Sequence, residues 1–204
     1  GLATAAAMRE RFHLLIQHPR TGHALVGWQG RRWLLPMLPA HERSRAASLI
    51  EGTIRRLGLD GFLACIPFGC VSADLGDVDR LAIWVAQPAD GWRPPDASSW
   101  DPLERLTQDR ALLPIQHELL AHHAARRESH TSTSTTPRRC VDDGVVWLAE
   151  VRAWVEAQLR DIDIRRIAHH RATPSRVVLE LELESETGSR AWFKSSTSQP
   201  FAAR

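Results

Sequence analysis

The run Arg126–Arg139 contains no side chain able to join a hydrophobic core; at its centre it reads Ser-His-Thr-Ser-Thr-Ser-Thr-Thr-Pro. Such a stretch cannot offset the entropy of an ordered backbone by burying apolar surface, so it predicts a flexible linker. It divides the 204 residues into a larger unit, 8–125, and a smaller one, 144–204, with 126–143 between them. The chain is 43% hydrophobic and 25% charged, as expected of a soluble globular protein. A formal net charge of +2 is too small to draw it to nucleic acid or an anionic membrane, and neither is expected as a partner. The apolar runs around Phe62–Val71 and Leu81–Ala86 fall far short of a membrane span. Gly1–Ala7 lacks the basic segment of a signal peptide; either Met8 is the start or the sequence is cut from something longer. The expected compartment is the cytoplasm.

Within the larger unit, Phe12–His18, His23–Trp28 and Arg32–Leu35 read as short strands joined by turns at Pro19–Gly22 and Gln29-Gly30. Ala46, Leu49, Ile50, Ile54 and Leu57 recur at spacings of three and four, which predicts a helix with one apolar face, stopped by Gly58. Phe62–Ser72 and Arg80–Gln87 read as two long strands, and Pro88–Ser99 as a loop. A further helix is expected from Pro114 to Arg126, with Ile115, Leu119 and Leu120 inward. Three scattered cysteines cannot build a disulfide framework or a zinc site, and Cys65 and Cys70 read as buried hydrophobes. His117, His122 and His123 lack a matching carboxylate or cysteine and read as exposed helix histidines, with His169-His170 similar; no metal site is expected.

The order strand, strand, Trp-Leu-Leu-Pro, helix, Leu-Gly-Leu, followed by Ser99-Trp100-Asp101-Pro102-Leu103-Glu104-Arg105-Leu106, resembles the Nudix family over about residues 10–125. The resemblance implies a mixed sheet flanked by helices. In that family, glutamates one helical turn apart hold Mg²⁺, which neutralises a diphosphate and activates water. Anchoring the signature on Gly58-Leu59 puts Met37 at its first glycine and Arg43 at its first glutamate. Glu51-Gly52 then falls on the Arg-Glu pair, and Arg55-Arg56 on the Glu-Glu pair. A guanidinium cannot coordinate Mg²⁺ and two would repel it, so diphosphate hydrolysis is not expected. Arg43, Arg45, Arg55 and Arg56 are open to two readings: a site for a nucleotide or phosphorylated small molecule, or a solvated helix face. Glu42 and Glu51 stay nearby, off the ligand positions.

The smaller unit pairs a helix stripe (Trp147, Leu148, Val151, Trp154, Val155 and Leu159) with the alternating Val177–Glu184, a turn at Thr187-Gly188-Ser189, and Arg190–Lys194. The helix, the segment Thr173–Leu179 and the ending Ala191-Trp192-Phe193-Lys194 resemble the start of aminoglycoside-phosphotransferase-like proteins, relatives of the protein kinases. By that resemblance Lys194 would contact ATP phosphates and Ser175 would lie in the turn that covers them. Lys194 is the only lysine among 26 Lys and Arg residues, where an ammonium has been kept against an arginine-rich background.

A kinase-like enzyme also needs a helix glutamate, a catalytic aspartate and an acidic metal site, all expected C-terminal to Lys194. The fold expectation is therefore α+β: a Nudix-like mixed sheet with helices, a linker, then the helix and β-hairpin of an incomplete kinase-like small lobe. That piece is expected to be poorly ordered or packed on the first. The functional expectation is the N-terminal portion of an ATP-dependent phosphotransferase carrying a non-catalytic Nudix-like binding or regulatory domain. No catalytic residue and no cofactor is expected in this chain, ATP and Mg²⁺ being implied only for the complete enzyme. Alternatives are a stand-alone nucleotide- or protein-binding module and a divergent Nudix hydrolase.

Overall fold

A computed structural model describes residues 9–42, 46–65, 70–71, 77–108, 112–132, 145–159, 162–173, 176–184 and 189–196. Its first sheet runs β3 (Arg32–Leu34), β2 (Ala24–Gln29), β1 (Arg9–Gln17), β7 (Val78–Pro88), β5 (Leu59–Cys65). Short strands β4 (His41–Glu42), β6 (Cys70–Val71) and β8 (Ser98–Asp101) pair with β1, β7 and β2. The central pair, β1 and β7, is parallel and the other pairings are antiparallel, so the sheet is mixed. Central strands covered on both faces need apolar residues in succession rather than in alternation. Leu14-Leu15-Ile16 and Leu81–Ala86 supply them, all buried.

Helix α1 (Ala46–Arg56) covers one face. There Ala46, Ile50 and Ile54 join Phe12, Leu14, Ile16, Ala82 and Trp84 in one core. Leu49, placed by its spacing on the apolar face, is exposed instead; the stripe the sheet can reach is narrower than the sequence pattern. Helices α2 (Leu103–Gln108) and α3 (Pro114–Ser132) belong to the other side, where Leu106, Leu119 and Leu120 cluster with Leu15, Leu81, Ile83 and Val85.

Several expectations are corrected. The strand read as Phe62–Ser72 begins earlier, at Leu59; its described parts are β5 and β6, both antiparallel to β7, and residues 66–69 and 72 lie outside the described set. Helix α3 continues to Ser132, so the first part of the stretch read as linker is helical; residues 133–144 lie outside the described set. The rest of the chain forms α4 (Val145–Leu159) and a second sheet in the order β11 (Arg190–Ser196), β10 (Arg176–Leu183), β9 (Ile164–Thr173). Strand β9 went unread, because Ile164-Arg-Arg-Ile-Ala-His-His-Arg-Ala-Thr173 is neither cleanly alternating nor continuously apolar.

The second piece packs on the first, one of the two outcomes expected for it. Trp147, Leu148, Val151 and Val155 of α4, with Leu179, Leu181 and Phe193 of the second sheet, belong to the same apolar cluster as Leu15 and Val85. Among the described residues, polar contacts also join the pieces. The Gln17 side-chain oxygen accepts from the Val145 backbone N–H at 3.2 Å, satisfying a donor at the start of α4. Gln87 Nε2 donates to the Ile167 carbonyl, and Arg166 pairs with Asp60.

Candidate functional site

Helix α1 ends where the sequence says it should. Gly58 sits at φ +70° and its N–H bonds to the Arg55 carbonyl at 2.9 Å, while the Trp92 indole N–H caps the Leu57 carbonyl at 2.9 Å. At the positions the Nudix resemblance assigns to metal ligands, the helix presents Gly52, Arg55 and Arg56. Both arginines are exposed, and Arg56 Nη2 is tied to Thr53 Oγ1 at 2.8 Å. These residues do not fit Mg²⁺: one has no side chain and two are cations. Among the described residues, no group of three His, Cys, Asp or Glu is placed to hold a metal ion. Arg43, Arg45 and the Glu42 side chain lie outside the described set.

Of the two residues tied to ATP by resemblance, Ser175 lies outside the described residues, while Lys194 stands on β11. Register places Lys194 opposite Val178, and Arg176 opposite Thr173, so the lysine is two residues along β10 from the end where β9 and β10 meet. Strand alternation then fixes its face. Phe193 is buried against α4, with the Trp147 and Trp154 rings at 6.2 and 6.0 Å in edge-on contact. Its neighbours Trp192 and Lys194 are therefore turned to the opposite, exposed face. Arg190 on that strand pairs with Glu180 at 2.9 Å.

The histidine reading needs correction. His122 is exposed, 3.8 Å from Glu118, but His117 is half-buried with Nε2 at 2.9 Å from the Thr107 carbonyl, and His123 is buried. His169-His170 and the three cysteines carry no described side-chain environment.

The most constrained polar residues are ones that sequence reasoning missed. On β1 and β7, side by side in the parallel pair, lie Glu10, His13 and Asp79, all fully buried. The Gln116 side chain on α3 accepts from the Leu35 N–H at 2.9 Å and donates to the Leu35 carbonyl at 3.0 Å, which fixes its amide orientation. Its Nε2 also lies 3.2 Å from His13 Nδ1, so that ring nitrogen must accept. The proton is then on Nε2, which donates to Asp79 Oδ1 at 2.8 Å. Arg11 approaches both Asp79 and Asp77 at 3.5 Å, and Arg80 pairs with Glu10 at 2.7 Å. An isolated histidine in an apolar strand gives no sequence signal for this. The cue was Asp79-Arg80 at the head of a strand otherwise apolar through Ala86.

Burial pushes the His13 pKa below its usual value; the Asp79 hydrogen bond and charge oppose that shift, and the Arg11 charge adds to it. His18 moves the same way through burial and its neighbours Arg20 and His23. A depressed histidine pKa means the unfolded chain binds the proton more tightly. The contribution is fully present above the unfolded value of 6.5 and is lost as pH falls. The urea midpoint should therefore decline between about pH 7.5 and 5.5, and His13→Gln should flatten that slope. An unchanged slope in the variant would remove His13 from the account.

No protein-family profile and no curated protein matches the chain. Parts of solved structures resemble it. The ORF135 protein of E. coli, solved in solution, is 18% identical with a TM-score of 0.48, covering 63% of this chain and 97% of that one. The C-terminal domain of mouse MUTYH, crystallised with human PCNA, is 12% identical at 0.42, covering 66% and 96%. A Sinorhizobium meliloti 1021 protein described provisionally as an oxidoreductase is 12% identical at 0.45; 60% of this chain is covered, and only 40% of the length of that protein. At these scores the likenesses carry no argument about family, ligand or chemistry. The structure itself defines an α+β protein in which a helix-flanked mixed sheet packs on a helix and a three-stranded sheet. Among the described residues, no helix is long and apolar enough to cross a membrane.

Proposed function

We propose that the chain is the N-terminal portion of an ATP-dependent phosphotransferase and carries a Nudix-like unit, residues 8–125, that binds or regulates rather than hydrolyses. One observation carries the reading: α4 leads into three antiparallel strands, and the chain's only lysine stands exposed on the third, opposite Val178 and so two residues along β10 from the Arg176–Thr173 pair. A compact ammonium on a rigid strand can offset phosphate charge without filling the space a phosphate needs. Phe193, wedged between Trp147 and Trp154, holds β11 in the rotation that exposes Lys194. ATP would supply the phosphoryl group; a catalytic aspartate and acidic metal ligands would have to come from elsewhere in the complete protein. The α1 cations support the non-hydrolytic role of the first unit, since Arg55 and Arg56 stand where acids would be needed.

The reading predicts a coding sequence that continues past Arg204 into a His-Gly-Asp-like catalytic loop. In that full-length protein, Lys194→Ala should weaken ATP binding by about tenfold or more, worth about 1.4 kcal/mol, in calorimetric titration. Unchanged ATP affinity would end the phosphotransferase assignment. A second reading, a free-standing module for a phosphorylated ligand, draws on the same exposed pair. It would be favoured by nucleotide binding without turnover that is lost in Arg55→Ala with Arg56→Ala.

A further inference from the structure

At the β2–β3 edge of the first sheet lies a further groove. Its volume is about 440 Å³, bounded by β2, by Leu34–Met37, by Leu57 at the end of α1 and by residues 96–98 ahead of β8. Trp28 and Met37 line it while 46% and 44% exposed, a large apolar surface to leave in water. Its walls are fixed. Strand β2 is paired on both sides, by β3 and β8, and the Trp28 ring stands edge-on to Trp33 at 4.9 Å. The Trp28 backbone N–H donates to the Ala97 carbonyl at 2.6 Å, and Ala97 holds a left-handed φ of +58°. An alanine in that region costs about 1 kcal/mol or more, so the turn is held there by its surroundings rather than by preference. Gly27 leaves the floor without a side chain.

Charge narrows the occupant. Among the described residues lining the groove, Asp96 is the one charged side chain, with Gln29 and Ser98 as neutral polar groups. An anion would find no cation here, which separates this groove from any phosphate site at Arg55 and Arg56. A cation would meet both a carboxylate and an indole, and a flat one could stack on the ring while donating hydrogen bonds to the acid. We propose that this groove binds a small planar organic cation: an amidine, a guanidine or a protonated aromatic amine. The proposal stands apart from the phosphotransferase reading, because Lys194 takes no part in it.

The test uses benzamidine and benzoate, which share a shape and differ in sign of charge. Each is titrated into the chain, following heat and the Trp28 indole N–H resonance. Saturable benzamidine binding is expected, with benzoate weaker by about tenfold or more. Asp96→Asn and Trp28→Leu should each weaken benzamidine by a similar factor; Asp96 is exposed and its substitution should leave the melting temperature unchanged. Lys194→Ala should have no effect on it. Equal binding of the two probes, indifference of benzamidine to Asp96→Asn, or the absence of saturable binding would overturn the proposal.

Discussion

Asp79→Ala is expected to lower the unfolding free energy by about 3 kcal/mol, measured by urea denaturation near neutral pH. Asp79 is buried and accepts from the His13 Nε2–H at 2.8 Å, with Arg11 at 3.5 Å from the same oxygen. Truncation strands the histidine donor in the interior. The ring cannot escape by exchanging its proton, because Gln116, locked on Leu35, already requires Nδ1 to accept. Arg11 is the lesser loss, since it is partly exposed and keeps Asp77 as a partner. Asp79→Asn, which retains an acceptor of the same shape, should cost about 1 kcal/mol, the difference reporting the charge. A loss below about 1 kcal/mol in Asp79→Ala would mean that this polar chain is not closed as described.

This network also marks the limit of what was legible in the sequence. Helix α1 and its Gly58 stop were readable because both obey local rules: a helical apolar period and a residue that tolerates positive φ. The placing of Gly52, Arg55 and Arg56 on that helix was readable for the same reason, since position along one helix follows from counting. His13, Asp79 and Gln116 were not readable, because they lie far apart along the chain and are joined only by the parallel pairing of β1 with β7 and the docking of α3. Strand β9 was lost to its polar composition, although Ile164 and Ile167 are buried and anchor it. Trp28 looked like an ordinary strand residue; it is exposed beside residues 96–98, which no local pattern ties to it.

The boundary read at Arg126–Arg139 was a statement about local composition, and the core crosses it. Trp147→Ala is expected to cost about 4 kcal/mol, because the indole is almost wholly buried and stands edge-on to Phe193. Which part of the molecule weakens follows from packing. The apolar cluster around Trp147 is continuous from Leu15, Ile83 and Val85 of the first sheet, through Val151 and Val155, to Leu179 and Phe193 of the second. A cavity in the middle of one core destabilises both its walls, whereas a cavity in a tethered second domain would weaken only that domain. Hydrogen exchange in Trp147→Ala should therefore speed up in β1 and β7 as well as in β9–β11, with a single thermal transition moved to lower temperature. If β1 and β7 kept full protection while β9–β11 lost theirs, the pieces would be separate folding units, and the first could not set the position of Lys194. If both respond together, substitutions that loosen the first sheet should reach the lysine through α4 and Phe193, with Gln17 holding the start of that helix.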